Sequence, residues 1–326
     1  MKKIAMRVLY VLLACLLSGL ASAENSFTIA VVPDSQQEVL DGKDTRLANR
    51  FQWLIANREA LNLKCVLHVG DMLNWDTADH IQYERASAAV KLLDEARLPY
   101  VFTQGNHDTF ATGGTPEKPG GSARPGNVHN NLRNTATCNR YFPLKRFTAL
   151  GGVFEPGKID NAWHTFHAGG LDWLVINLEL WARTNAVAWA KTVVDQHPSF
   201  NVILLTHSFL TNGKGIESRN GGYGDNSPQY VFDQLIAPSP NFRLVFSGHT
   251  GVHGYRHDHG VAGNDIYEFL QTYHDPVTNP VRLFTIDTQA GTIKTHVFCP
   301  SQSKDKPDGS TLEIKGVKWV SAATRQ

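Results

Sequence analysis

The sequence predicts an α/β fold, an αββα sandwich in which two mixed sheets face each other and helices flank them. Apolar runs of strand length alternate with segments of helical periodicity in the first half of the chain, which favours parallel strands joined by helices. A second group of strand-like runs follows in the carboxyl-terminal half. Hydrophobic residues make up 42% of the 326 residues, which is enough for a packed globular core.

The first half of the chain predicts a βαβαβ unit. Strands are expected over residues 27–32, 65–69 and 100–103, where apolar runs end close to Pro or Gly. Helices are expected over 45–61 and 79–96, where apolar residues recur at helical spacing. Helical crossovers make the three strands parallel, so their carboxyl ends meet at one edge of the sheet, where open α/β sheets bind ligands.

The second half of the chain predicts the other sheet, within a single domain that extends over residues 24–326. Residues 110–160 and 211–227 are rich in Gly and Asn and are interpreted as long insertion loops. The remaining strands are predicted over 163–166, 171–177, 202–205, 243–246, 266–270, 281–287 and 293–298, and the remaining helices over 186–194 and 230–236.

Residues 1–23 have the layout of a cleaved secretory signal peptide. Positive charges within residues 2–7 precede an apolar run over 8–20 and the small residues 21–23. A retained membrane anchor and lipidation at Cys15 are alternatives, but the run is short for a membrane span and polar residues follow it. The sequence therefore predicts a periplasmic or secreted protein that has no membrane span after cleavage.

Charge and cysteine content narrow the choice of partners. Loss of the three basic side chains in residues 2–7 takes the formal net charge from +1 to −2, so no basic excess indicates a nucleic-acid partner. Cys65 lies in an apolar run typical of a buried thiol. Cys138 and Cys299 lie in polar segments, and export permits a disulfide between them that spacing alone does not establish. No feature of the sequence specifies the oligomeric state.

Polar residues that can bind a metal ion follow five of the predicted strands. Carboxylate, amide and imidazole ligands in this mixture suit Zn²⁺, Mn²⁺ or Fe, and a carboxylate can bridge two ions. The glycines among them allow the backbone to turn sharply at the end of a strand. The five strand ends carry Asp34-Ser35-Gln36, Gly70-Asp71, Gly105-Asn106-His107-Asp108, His207 and Gly248-His249.

The order of these strand ends resembles that of the calcineurin-like metallophosphoesterases. That family is characterised by Asp-x-His, Gly-Asp-x-x-Asp/Asn, Gly-Asn-His-Asp/Glu, a lone His and Gly-His-x-His, in this order. The present sequence has corresponding elements in the same order over residues 29–253, each after an apolar run. The ordered set is far more specific than a single Gly-Asn-His-Asp. The resemblance implies the metallophosphoesterase form of the αββα sandwich.

The resemblance implies a metal-binding role for each matching residue. Asp71 corresponds to the carboxylate that bridges two metal ions, and Asp34 corresponds to a ligand of the first ion. Asn106, His207 and His249 correspond to ligands of the second ion. The implied cofactors are one or two divalent ions per chain, with Zn, Mn and Fe as the candidates.

The resemblance also implies the reaction. Metal ions polarise the phosphoryl oxygens and lower the pKa of a bound water to about 7, and the resulting hydroxide attacks phosphorus. His107 is expected to contact the phosphoryl oxygen or to protonate the leaving group, and Asn74 is placed beside it. The implied substrates are small phosphomonoesters or phosphodiesters.

Two positions depart from the family pattern. Gln36 stands where the first motif has its His, and Gly251 stands where the last motif has its second His. In the family both histidines bind the first ion. Gln36 can still offer a carbonyl oxygen, and His253 lies two residues beyond Gly251. Three alternatives remain open: a two-metal site with altered ligands, a one-metal site, and a weak first site for a harder ion.

The same departures support a second hypothesis, a non-catalytic or weakly catalytic metal-binding protein of the cell envelope. A metal-dependent hydrolase of another bond, such as an amide or a sulfate ester, is a third hypothesis that nothing in the sequence favours. The number of metal ions bound per chain distinguishes the first two hypotheses.

Several candidate residues also have a purely structural interpretation. Asp34 and Asp71 lie between a strand and a helix, where Asp often caps the helix. His257 and His259 are interpreted as residues of a solvated loop. The loop over 211–227 either contacts the substrate or forms a flexible surface. Its candidate contact residues are Lys214, Arg219, Asn220 and Tyr223.

Overall fold

The structure is a computed structural model that describes residues 25–113, 122–124 and 126–321. The predicted signal peptide, residues 1–23, lies outside the described residues. Two seven-stranded mixed sheets face each other, and helices cover their outer faces. This arrangement confirms the αββα sandwich predicted from the sequence. No helix in the described part of the chain has the length and apolar character needed to cross a bilayer.

Strands outnumber helices among the described residues. The strands are β1 (Ser26–Val32), β2 (Leu63–His68), β3 (Tyr100–Phe102), β4 (Thr112–Gly113), β5 (Ser122–Ala123), β6 (Leu150–Val153), β7 (Ala162–Ala168), β8 (Leu171–Leu178), β9 (Asn201–Thr206), β10 (Phe242–Ser247), β11 (His253–His259), β12 (Asp265–Gln271), β13 (Val281–Asp287), β14 (Thr292–Cys299), β15 (Lys304–Asp305) and β16 (Leu312–Lys315). The α-helices are α1 (Arg46–Ala56), α2 (Ile81–Glu95), α3 (Val128–Leu132), α4 (Ala136–Tyr141), α5 (Thr184–Gln196) and α6 (Pro228–Val231).

Parallel strands lie at the centre of each sheet. The first sheet has the order β15-β14-β13-β1-β2-β3, in which β16 also pairs with β14 and the neighbours β1, β2 and β3 are parallel. The second sheet has the order β11-β12-β10-β9-β8-β7-β6, in which β8, β9, β10 and β12 are parallel. The carboxyl ends of these central strands carry the candidate metal ligands, as the βαβαβ pattern predicts.

Three apolar clusters hold the four layers together. The cluster between the sheets includes Phe27, Trp173 and Phe284. Leu47 and Phe51 of α1 belong to the cluster outside the first sheet, because residues four apart on a helix share one face. The third cluster packs α5 and the segment after α6 against the second sheet. The central strands are therefore buried on both faces, which explains why they read as continuous apolar runs.

The structure departs from the sequence interpretation in two segments. Residues 110–160 contain α3, α4 and β6 as well as irregular chain. His257 and His259 lie on the edge strand β11 rather than in a loop, and both lie close to the Asp265 carboxylate on β12. The strand was missed because alternation with polar residues on an edge resembles a solvated segment.

The cysteines of the described residues are free thiols. Cys65 is buried between the two sheets, as its apolar surroundings predict. Cys138 is buried on α4, and Cys299 is buried at the end of β14. The disulfide that export would permit between Cys138 and Cys299 is therefore not formed in this structure.

Candidate metal centre

The carboxyl ends of strands from both sheets meet at one edge of the sandwich. Nε2 of His207, after β9, lies 3.1 Å from Oδ2 of Asp71, after β2. His249, after β10, places Nδ1 3.2 Å from Nε2 of His207, and its backbone N–H donates to Oδ2 of Asp34 at 3.1 Å. The backbone N–H of His107, after β3, donates to Oδ1 of Asp71 at 3.0 Å. Five strand ends therefore contribute to one site.

Three of these side chains form a group that can hold a metal ion. Asp71, His207 and His249 each offer one ligand atom, and the three atoms lie within 4.8 Å of one another. Nδ1 of His207 donates to the carbonyl oxygen of Val69 at 2.8 Å. This contact fixes the ring and leaves Nε2 available as a ligand, as is usual for metal-binding histidines.

Three buried oxygens of the predicted ligands have no hydrogen-bond partner among the described residues. They are Oδ1 of Asp34, Oε1 of Gln36 and Oδ1 of Asn106. A buried polar atom without a partner costs free energy, so native proteins rarely leave one unsatisfied. A divalent cation would satisfy such oxygens, and the carboxylate, amide and imidazole donors suit Zn²⁺, Mn²⁺ or Fe. The residues present therefore fit a metal centre.

The backbone at the site adopts conformations that cost energy for residues with side chains. Asp71 has φ 50° and His249 has φ 74°, both in the left-handed region. A Cβ atom on Gly105 would lie 2.0 Å from Oδ1 of Asp71, and one on Gly248 would lie 2.1 Å from Oδ1 of Asp34. The main chain thus approaches the carboxylates so closely that only glycine fits at these two positions.

A model of the calcineurin-like phosphoesterase family matches residues 27–253, a range that contains all five strand ends. The chain belongs to the calcineurin-like phosphoesterases. This confirms the resemblance that the ordered motifs indicated.

Individual relatives are distant. The chain is 26% identical over 203 residues to the uncharacterized protein YvnB of Bacillus subtilis strain 168, and the match covers 61% of this chain but only 13% of YvnB. A dimetal phosphatase from Danio rerio has a TM-score of 0.54 at 11% identity, with 89% of this chain and 98% of that one covered. GAP50, the anchor in the inner membrane complex of Plasmodium, has a TM-score of 0.49 at 9% identity, with 90% of each chain covered. At such low identity the dimetal phosphatase supports the fold alone.

His107 of this calcineurin-like phosphoesterase is oriented by the main chain. Its Nδ1 donates to the carbonyl oxygen of Asn74. The sequence placed Asn74 beside His107, and the structure brings the two together through the Asn74 backbone. The contact leaves Nε2 of His107 free to face a substrate.

Asp108 closes the same turn and was not singled out from the sequence. Its Oδ1 accepts the backbone N–H groups of Met72 at 2.9 Å and Leu73 at 3.2 Å, and its Oδ2 accepts the N–H of Gly105 at 2.9 Å. One carboxylate therefore joins the turn after β2 to the turn after β3. The signal in the sequence was the acidic fourth position of Gly-Asn-His-Asp.

His274 also lies at the site, and sequence reasoning missed it. Its Nε2 is 3.1 Å from Oδ2 of Asp34. Asp34, Asp71 and His274 each offer one ligand atom, and these atoms lie within 4.8 Å of one another. A weak signal was present, because His274 lies three residues after the end of β12, near the same edge of the sheet that His207 reaches directly after β9.

The two departures from the family pattern have different surroundings. Gln36 is buried, with its Oε1 among the unsatisfied oxygens. Gly251 has φ 68°, and a Cβ there would lie 2.4 Å from Oδ1 of Asn212, so a histidine at this position would be strained and would displace the Asn212 side chain. Nε2 of His253 donates to the backbone carbonyl of Asp308 at 3.2 Å. His253 belongs to none of the possible ligand groups within the described residues.

Burial and neighbouring charges shift the pKa values of several groups at the site. Burial alone would lower the pKa of His207, but the charge and hydrogen bond of Asp71, together with the charge of Asp34, outweigh it and raise that pKa to about 9. Burial and the positive charge of His207 lower the pKa of His249 to about 4. Burial also raises the pKa of Asp34 above its ordinary value, despite the hydrogen bond from His274. Such perturbed groups cluster at functional sites.

A cavity of about 780 Å³ opens beside His249. Trp181 packs edge-on against His249, with ring centroids 5.4 Å apart, and Tyr223 packs against Trp181 at 4.9 Å. Arg219 also lines this cavity, whereas Asn220 holds the loop itself by donating to the backbone of Gly224 at 2.9 Å. The loop over 211–227 thus forms one wall beside the metal centre. Lys214 is not among the lining residues.

Proposed function

We propose that this chain is an exported, metal-dependent phosphoesterase that hydrolyses small phosphomonoesters or phosphodiesters. The observation that carries the proposal is the convergence of carboxylates, an amide and imidazoles from five strand ends, three of whose buried oxygens have no protein partner in the described chain. Membership of the calcineurin-like phosphoesterases supports phosphorus as the electrophile.

Some residues of the site would bind the metal ions, and others would transfer protons. Asp34, Asp71, Asn106, His207 and His249 would hold the ions. When bound, divalent ions supply positive charge to the phosphoryl oxygens and a hydroxide nucleophile at neutral pH. The strained turns and the close backbone at the site keep these ligands in place before the substrate arrives.

His107 is positioned to act on the substrate. Because its Nδ1 donates to the Asn74 carbonyl, the orientation of the ring is fixed and Nε2 is the nitrogen available to the substrate. We infer that Nε2 contacts the phosphoryl oxygen or donates a proton to the leaving-group oxygen.

The cavity beside His249 would receive the organic part of the substrate. Trp181 and Tyr223 provide apolar ring surface, and Arg219 provides a positive charge that suits a phosphate or carboxylate. These residues fit a small ester with a flat or apolar leaving group.

Export is proposed from the sequence of residues 1–23 alone. A periplasmic or secreted location requires cleavage after Ala23. Amino-terminal sequencing of protein recovered from the periplasm or medium of a bacterial host tests this. A mature chain that begins at Glu24 supports export, and an uncleaved chain confined to the cytoplasm contradicts it.

The alternative function is that of a metal-binding envelope protein with little or no catalysis. Gln36 and Gly251 favour it, because each replaces a family histidine. Turnover separates the two functions. Purified protein loaded with Zn²⁺, Mn²⁺ or Fe²⁺ is assayed with nitrophenyl phosphate and bis(nitrophenyl) phosphate, with Asp71→Asn as the inactive variant and exposed His167→Ala as the control.

The expected result is metal-dependent hydrolysis that Asp71→Asn abolishes and His167→Ala leaves unchanged. Stoichiometric metal binding without turnover on either ester class would instead establish the binding protein.

A further inference from the structure

We propose that His274 supplies the imidazole ligand of the first metal ion, in place of both family histidines that this chain lacks. The inference rests on the proposed metal centre and identifies a ligand outside the motifs of the family. His274 lies beyond residue 253, where the match to the family model ends.

The donor atoms around Asp34 form a second ligand group next to the first. Nε2 of His274 lies 3.1 Å from Oδ2 of Asp34, and Asp71 completes the group within 4.8 Å. Oδ1 of Asp34 and Oε1 of Gln36 are buried without a protein partner in the described chain. Asp71 belongs to this group and also to the group with His207 and His249, so it is placed to bridge two ions.

The main chain holds His274 in a strained turn. Tyr273 has φ 60° and His274 has φ 23°. Strained residues persist only where the surroundings fix them, and they concentrate at functional sites. In this turn the N–H of Thr272 donates to the carbonyl of Val252 at 2.9 Å, and the Tyr273 hydroxyl donates to Oδ2 of Asp308 at 2.6 Å. The turn is therefore anchored on both sides.

The two other positions considered for this role, 251 and 253, do not supply a ligand. At position 251 the side chain of Asn212 occupies the space that a histidine would need. His253 donates to the Asp308 carbonyl and stacks on Tyr273, so it supports the turn rather than the ion. Among the described residues, His274 is the histidine with a ring nitrogen in hydrogen-bond reach of the Asp34 carboxylate.

The two ligand groups also differ in chemistry. The group at His207 and His249 has two imidazoles, whereas the group at His274 has one imidazole and is otherwise built from oxygens. Oxygen ligands suit harder ions. We therefore expect Zn²⁺ to bind more weakly at the His274 group than at the group of His207 and His249, and Mn²⁺ to replace it readily there.

The test is the number of metal ions per chain, measured by inductively coupled plasma mass spectrometry on mature protein dialysed against Mn²⁺ and Zn²⁺. Two ions are expected for the wild type and one for His274→Ala. Two are expected for His253→Ala and for His167→Ala, which is the matched control on an exposed histidine. His274→Asp supplies a carboxylate ligand in place of the imidazole and is expected to recover the second ion. Circular dichroism establishes that each variant is folded.

Two ions in folded His274→Ala would overturn the proposal. One ion in the wild type would overturn it as well. These outcomes are independent of turnover, so a protein that binds two ions through His274 but hydrolyses no ester refutes the proposed function and leaves this ligand assignment standing.

Discussion

Gly105 lies against the Asp71 carboxylate more closely than any side chain permits. A Cβ at this position would be 2.0 Å from Oδ1 of Asp71. Gly105→Ala must therefore displace the carboxylate, and we expect at least a ~100-fold loss in kcat/KM, since small displacements at a catalytic centre have effects of this order. Gly215→Ala is the control, because Gly215 does not line the proposed substrate cavity and its nearest neighbour, the Thr211 hydroxyl, would be 3.8 Å away. Equal activity of the two variants would contradict this geometry.

His107 and Asn74 are expected to differ in their effect on turnover. His107→Ala removes the group that faces the substrate, and we expect kcat to fall by ~10²–10⁴-fold, as for other proton-transfer residues. Asn74→Ala retains the backbone carbonyl that orients His107, so we expect less than a ~10-fold change. Steady-state kinetics on nitrophenyl phosphate measures both. A large loss in Asn74→Ala would mean that its side chain acts in the reaction.

The short 3₁₀ helix Gln36–Val39 is held to α1 by a buried ion pair. Arg50 donates to both oxygens of Glu38, at 2.7 and 2.5 Å, and Arg50 is fully buried. This pair fixes the element that begins at Gln36, two residues after Asp34. Its loss is therefore expected to affect both stability and the first metal position.

Removal of one partner of this pair leaves an uncompensated buried charge. We expect Glu38→Ala to lower the free energy of unfolding by ~3–5 kcal/mol, measured by urea denaturation. Glu95→Ala removes an exposed partner of Lys91 on α2 and is expected to cost less than ~1 kcal/mol. Similar losses in both variants would contradict the importance assigned to the buried pair.

The strand β12 carries a buried carboxylate without a good partner. Both oxygens of Glu268 have no hydrogen bond within the described chain, and Arg256, 3.6 Å away, donates to Asp258 instead. Burial, and then the charge of Asp258, raise the pKa of Glu268 from 4.5 to about 9. Between pH 4.5 and about pH 9 the folded protein therefore keeps a proton that the unfolded chain releases. The free energy of unfolding falls as the pH rises through this range.

Replacement of Glu268 by Gln removes this dependence. At pH 9 we expect Glu268→Gln to unfold with a free energy at least ~1–2 kcal/mol above that of the wild type, while the difference at pH 4 is small. Urea denaturation at pH 4, 7 and 9 measures the trend. A wild type whose stability advantage over the variant grows with pH would contradict the assignment.

At the scale of the whole molecule, the buried apolar runs of the sequence predicted the central strands and the two-sheet fold. β9 and β10 are buried throughout, so their apolar runs and the polar residues that follow them were recognisable. The layers and the meeting of the strand ends follow from parallel connections. The single-domain assignment stays a prediction.

The features that sequence reasoning missed depend on tertiary contacts. β11 is an edge strand with polar residues on it, so its pattern resembles a loop. His274 reaches Asp34 because contacts remote in sequence, at Val252 and Asp308, hold its strained turn. No local pattern encodes such contacts, and the same holds for the use of the Asn74 backbone rather than its side chain.

Anomalous diffraction from crystals of the protein loaded with Zn²⁺ and Mn²⁺ tests the two-ion centre most directly. We predict two peaks that share Asp71, one beside His207 and His249 and the other beside Asp34 and His274. An anomalous map with fewer than two peaks in coordinating reach of Asp71, in crystals whose metal content has been verified, would contradict it.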